Sequence, residues 1–135
     1  MDACEALATI LASLIGGKSL RDVLSASYGP FCPGVQAVMD GSYKGKARSE
    51  IRSSGYVIHT LEAALWCLSE TSTFRDAVLL AFNLGDDADT IAAVTGQIAG
   101  ALYGITEVPK EWYDRLAWNH RLAGVAGRTY GAELN

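Results

Sequence analysis

Proline and histidine are scarce, at 3 and 2 residues, and the three cysteines, Cys4, Cys32 and Cys67, are odd in number and far apart. There is no C-x-x-C pair, and only His59 and His120 could assist the thiols, so neither a zinc site nor a disulfide framework is expected. Reduced thiols suit a cytoplasmic location. No Lys/Arg run exists to track a phosphate backbone, and 11 basic against 15 acidic residues leave a net charge of −4, so nucleic acid is not an expected partner. No uncharged apolar run reaches the ~18 residues that span a bilayer, so no membrane partner is expected either. The apolar segment from Ala6 to Ile15 follows Asp2 and Glu5 rather than a basic stretch, which argues against a signal peptide. No fixed-period repeat, low-complexity tract or strand-like alternation is visible. What remains is 135 residues, half of them apolar and 19% charged, which predicts one globular domain with a genuine core and excludes disorder.

Helical spacing organises that core. Ala6, Leu7, Ile10, Leu11 and Leu14 form a stripe over residues 2–15, stopped by Gly16-Gly17, and Ser19 caps a short turn through Leu24. From Ser25 to Arg52 the punctuation by Gly29-Pro30, Pro33-Gly34, Gly41 and Gly45 predicts a loop-rich connection with one short helix, Val35 to Met39. Tyr56, Val57, Thr60, Leu61, Ala64, Leu65 and Leu68 then form an uninterrupted stripe entered from Ser53-Ser54-Gly55. Thr73 and Asp76 have capping-box spacing and open a helix through Phe82 that ends near Gly85. A further helix runs from Asp87 to Tyr103. It carries Gly96 and Gly100, which predict close approach of another helix because glycine costs ~1 kcal/mol per residue relative to alanine there. Gly104 is its expected stop, and Pro109 sits at a first helical position ahead of an apolar side made by Trp112, Leu116 and Trp118. The reading is a single all-α domain.

The segment Gly85-Asp86-Asp87-Ala88-Asp89-Thr90 is the strongest candidate for chemistry. Asp87, Asp89 and Thr90 fall in one first turn, where two carboxylates and a hydroxyl offer hard oxygen ligands suited to Mg²⁺, Mn²⁺ or Ca²⁺. The competing reading makes Asp87 a plain N-cap and Asp89 a complement to the helix dipole. An EF-hand is excluded, since Ile91 occupies the next ligand position and no Gly or terminal Glu follows at loop spacing. Ser53-Ser54-Gly55-Tyr56 is the second candidate: glycine lets a ligand approach the backbone, and tyrosine offers a stacking face and a hydroxyl. Its alternative is a helix start with a core tyrosine. His59 lies one residue off the stripe, with no carboxylate or cysteine partner nearby in sequence, and reads as structural. The three tryptophans read as core or interface anchors, and Cys67 as an inert buried thiol.

Two strings, Ser54-Gly55-Tyr56-Val57-Ile58-His59-Thr60-Leu61-Glu62-Ala63-Ala64-Leu65-Trp66 and Asn83-Leu84-Gly85-Asp86-Asp87-Ala88-Asp89-Thr90, resemble the ADP-ribosylglycohydrolase family. The family includes the dinitrogenase reductase activating glycohydrolases and the ADP-ribosyl-arginine and ADP-ribosyl-serine hydrolases. The continuation from Ile91 through Gln97-Ile98-Ala99-Gly100-Ala101-Leu102-Tyr103-Gly104, then Val108-Pro109 and Trp112, is similar to the same family in the same order. The resemblance implies a compact orthogonal all-α pack with two Mg²⁺ ions, Mn²⁺ being an alternative, at the mouth of an ADP-ribose cleft. Its D-x-D-T segment would supply metal ligands at Asp87, Asp89 and Thr90, and Gly55, Tyr56 and Val57 would lie near the ADP-ribose. The implied activity is hydrolysis of the N- or O-glycosidic bond that joins ADP-ribose to a protein side chain.

Two of that family's features have no counterpart here, a G-D-x-x-G opening and a T-D-D segment that completes the metal pair. The resemblance therefore implies the C-terminal portion of the fold, truncated at the N-terminus, with an incomplete metal site and no assigned general base. A second chain, a missing segment or self-association is the expected source of the rest. The alternative is a catalytically inactive ADP-ribose-binding or structural helical module.

Overall fold

Helix α1 (Asp2–Ile15) buries Ala3, Ala6, Ile10 and Leu14 along one face. It stops where the paired glycines predict, Gly17 taking the left-handed conformation at φ +89° that L side chains rarely adopt. The computed structural model describes residues 1–133, and among these the chain forms helices and no strand. Helix α2 (Leu20–Ser25) opens on Ser19, whose hydroxyl oxygen accepts the Asp22 N–H at 3.1 Å. The loop-rich segment holds α3 (Pro33–Met39), which starts earlier than the apolar spacing indicates because Pro33 fits a first helical turn. It also holds a 3-10 turn at Arg48–Glu50.

Helix α4 (Val57–Glu70) is the centre of the fold. The sequence predicts one apolar stripe, yet Thr60 to Leu68 are all buried, Glu62 included. The difference has a packing cause: α1 and α3 lie against it, as do α5 (Phe74–Phe82) and α6 (Ala88–Tyr103). The segment 42–46 is tied to it as well, with Trp66 Nε1 donating to the Lys46 carbonyl at 2.9 Å. A helix surrounded in this way needs small or apolar residues on every side, which Ala63, Ala64 and Cys67 supply.

Thr73 caps α5 as its spacing predicts, accepting the Asp76 N–H at 3.1 Å, and α5 packs along α6 more extensively than any other pair of elements. The glycines of α6 are not explained by that packing. A Cβ added at Gly96 would stand 3.8 Å from Val78 Cγ2 and one at Gly100 4.0 Å from Phe74 Cε2, which is ordinary contact and not the close approach expected. Gly104 does end α6, at φ +84°.

Pro109 is the N-cap of α7 (Lys110–Arg115), one place before the position the sequence suggests. Trp112 packs at 6.4 Å from the Phe74 ring, whereas Trp118, expected on the apolar side of α7, is 76% exposed. The last helix, α8 (Asn119–Glu133), has no counterpart in the apolar pattern: it contains three glycines, and residues 120–130 are exposed throughout. No helix among the described residues is long and apolar enough to cross a membrane.

Candidate active site

The loop before α4 and the turn before α6 are strapped together. Arg48 Nη2 donates to the carbonyls of Asn83 and Leu84 at 3.0 and 2.8 Å, placing a cation where α5 leaves its last carbonyls unpaired. Ser53, itself buried, donates from Oγ to Asp86 Oδ2 at 3.2 Å, and the Asp87 N–H donates to the Ser53 carbonyl at 3.0 Å. Gly85 and Asp86 both have positive φ, +84° and +47°, which reverses the chain from α5 into α6. Aspartate tolerates that region better than most L residues.

The reversal delivers Asp87 to the N-cap position of α6, but its carboxylate does not act as a cap. Asp87 Oδ1 accepts the Thr90 hydroxyl at 2.9 Å, while Asp89 Oδ1 accepts the Thr90 N–H at 2.9 Å. The plain N-cap reading therefore fails for Asp87, whereas Asp89 does satisfy a free amide of the first turn. Asp87 Oδ2 turns toward Gly55: a Cβ built there would stand 3.1 Å from it.

Gly55, Val57, Thr60 and Leu61 line one side of a cavity of about 220 Å³, Thr90 and Val94 of α6 a second, and Ala3, Cys4 and Leu7 of α1 the third. Tyr56 and Val57 line an adjoining cavity of about 300 Å³, with Asp2, Cys4 and Cys32. Tyr56 is 55% exposed, so the core-tyrosine alternative is wrong. The α1 wall of the cleft was missed in sequence, because Ala3, Cys4 and Leu7 carry no local signal beyond their helical spacing. Asp2 joins the cleft wall to α3 by accepting the Cys32 N–H, a hydrogen bond that holds its carboxyl below the usual carboxylate range.

His59 also has a partner that the sequence reading missed. Its Nδ1 lies 2.7 Å from Ser54 Oγ, and its ring meets the Tyr56 ring edge-on at 5.0 Å. The signal was the serine five residues upstream, on the far side of a helix start, where a search for carboxylates and cysteines does not look. One turn along α4, Glu62 accepts from Lys46 Nζ at 2.7 Å and from Ser42 Oγ at 2.6 Å. Burial is the largest influence on its carboxyl and pushes it up, but these hydrogen bonds and the Lys46 charge together outweigh it and leave the group below its ordinary value. Cys67 is buried in the core, which pushes its thiol up to about 12, consistent with an inert group.

A larger cavity, about 500 Å³, lies between α5, α6, α7 and α8, lined mainly by apolar residues such as Phe74, Val78 and Trp112 and by no carboxylate. The smaller cleft is also lined by no carboxylate, but its Gly55 and Thr90 both adjoin Asp87. Asp87 and Asp89 share the turn, and among the described residues no group of three or more His, Cys, Asp or Glu side chains gathers at one point.

The fold and the paired strings at this cleft define a class. The ADP-ribosylglycohydrolase family pattern matches residues 1–134, and the chain belongs to that family. It is 50% identical over 130 residues, 96% of its own length, to "ADP-ribosylarginine hydrolase Tri1" of Serratia proteamaculans, and 43% identical over 126 residues to the protein of the same name from Pseudomonas putida. The chain covers 36% and 34% of these two relatives, about a third of their length. A solved structure described as an "ADP-ribosylglycohydrolase-related protein complex" matches with a TM-score of 0.82 at 34% identity, over 92% of this chain and 44% of that one.

Proposed function

We propose that this chain forms one side of an ADP-ribosylglycohydrolase active site that, with Mg²⁺ or Mn²⁺, hydrolyses the glycosidic bond between ADP-ribose and a modified protein side chain in the cytoplasm. The observation that carries the reading is the Asp87 carboxylate: it stands at an N-cap without capping, is oriented by Thr90, and faces Gly55 beside the cleft. A carboxylate kept from its local structural task is free for a ligand. The names of the two relatives favour arginine-linked ADP-ribose as the substrate.

The donor chemistry of Asp87, Asp89 and Thr90 fits a hard divalent cation, but the number of donors falls short of near-octahedral coordination. Further oxygen ligands would come from outside the described residues, from another segment, a second chain or a second copy. When bound, the ions would orient ribose hydroxyls and activate the attacking water. The chain's own groups do the rest of the binding. Gly55 admits the ligand to the backbone, Tyr56 and Val57 offer aromatic and apolar surface, and Thr90 fixes the direction of the Asp87 carboxylate. Bond cleavage at the anomeric carbon would pass through an oxocarbenium-like state, as in glycoside hydrolysis generally. A second reading, an ADP-ribose-binding module without turnover, is favoured by one observation, the lack of a three-ligand group among the described residues.

The test is release of free ADP-ribose from ADP-ribosyl-arginine by the purified chain, with Mg²⁺ and with chelator, beside the Asp87→Ala/Asp89→Ala double variant. Metal-dependent release lost in the variant supports the hydrolase. Binding of ADP-ribose without release supports the module, and neither binding nor release defeats both.

A further inference from the structure

We propose that His59 is a positioning residue for the cleft: its imidazole, through the Ser54 hydroxyl, holds the turn Ser54-Gly55-Tyr56 in the shape that receives ligand. The ligand rests on the functional reading above, whereas the clamp is a property of the free chain.

The geometry is a six-residue ring, Ser54 to His59, closed by side chains. With the imidazole proton on Nε2, Nδ1 accepts from Ser54 Oγ at 2.7 Å, and Ser54 Oγ in turn lies 3.4 Å from the Tyr56 N–H that points at it. The Tyr56 ring stands nearly perpendicular to the imidazole, at 83°, so it is braced by the same side chain. His59 is half-buried in the first turn of α4 and is followed directly by the buried run from Thr60 to Leu68, which makes it a fixed post. Ser54, Gly55 and Tyr56 are all exposed, so packing alone does not hold them. Just upstream, Ser53 is held from the opposite side by the Asp87 N–H and by Asp86. The turn is thus gripped at Ser53 by the acidic loop and at Ser54 and Tyr56 by His59, with Gly55, which faces the Asp87 carboxylate, suspended between the two.

The experiment measures amide hydrogen exchange at Gly55, Tyr56 and Val57 in the ligand-free chain, and ADP-ribose affinity by calorimetry. The proteins are wild type, His59→Phe, His59→Asn, Ser54→Ala and the His59→Phe/Ser54→Ala double variant. His59→Phe keeps an aromatic ring beside Tyr56 but removes the acceptor, and His59→Asn restores an acceptor at the δ position. Losing one neutral hydrogen bond predicts exchange about 5- to 10-fold faster and ADP-ribose binding weaker by a similar factor in His59→Phe and in Ser54→Ala. The double variant should be no worse than either single, and His59→Asn should return to within about 2-fold of wild type. Wild-type exchange in His59→Phe, or effects of the two singles that multiply in the double, would overturn the clamp. Faster exchange with unchanged affinity in a chain that binds ADP-ribose would overturn the positioning role. If the wild type binds no ADP-ribose, the functional reading fails, while exchange still decides the clamp.

Discussion

Gly55 and Asp87, 32 positions apart in the chain, approach so closely that a Cβ on the glycine would stand 3.1 Å from the carboxylate oxygen Oδ2. Gly55→Ala is therefore expected to push the Asp87 carboxylate aside by a few tenths of an ångström while leaving the core untouched. ADP-ribose binding should weaken by about tenfold, equivalent to about 1.4 kcal/mol, with little change in melting temperature. Calorimetric titration beside a thermal melt separates the two effects.

Asp87 and Thr73 both occupy N-cap positions, but only Thr73 caps with its side chain. Thr73→Ala should cost about 1 kcal/mol of stability. Asp87→Ala should cost less, and should abolish any divalent-dependent ADP-ribose release. Urea melts of the two variants, run alongside the hydrolysis assay, test the contrast. Equal destabilisation with full activity in Asp87→Ala would return that residue to a purely structural role.

Glu62 makes stability sensitive to acid. Its carboxyl is held below the ordinary value in the folded chain, so its contribution is fully present above the unfolded-state value, near 4.5, and is lost as pH falls through the lower folded-state value. Wild type should lose stability over that window, and Glu62→Gln should lose less of it. Lys46→Met leaves the nearly buried carboxylate with the Ser42 hydroxyl as donor and should cost roughly 1–3 kcal/mol at neutral pH. Urea midpoints between pH 3 and 7 supply the comparison.

Two of the three thiols should react readily in the native chain. Cys4 and Cys32 are exposed, whereas Cys67 is buried with its thiol raised to about 12. A chromogenic disulfide reagent at pH 8 should titrate two groups at once and the third only after unfolding. Rapid titration of all three would show that α4 is not enclosed as described.

Thr95 is fully buried on α6, and its hydroxyl has no partner among the described residues. Thr95→Val keeps the shape and removes an unsatisfied polar group, so it should raise stability by about 1 kcal/mol. Chemical denaturation measures it directly.

The fold was legible wherever a helix buries one face or carries a cap. α1 and α5 begin and end where apolar spacing, Gly16-Gly17 and Thr73 place them, and Ser19 caps α2 as its position indicates. α8 was not legible, since a glycine-rich helix with exposed residues leaves no periodic apolar trace. The extent of burial on α4 was underestimated because Glu62 looks like a surface residue until Ser42 and Lys46 are brought to it by the loop. For the site, the acidic turn and the Gly55 segment were visible as strings, and one cavity is lined by Gly55, Val57 and Thr90 together. The wall from α1 and the partnership of Ser54 with His59 were hidden, since both depend on how the chain turns and not on which residues it contains.

The contact between the Asp87 N–H and the Ser53 carbonyl is made by main-chain atoms alone. Any residue other than proline at position 87 keeps it, so this joint between the two loops does not depend on the Asp87 carboxylate. The backbone thus sets how far apart the two loops stand, and the side chain at position 87 sets only what is presented across the gap.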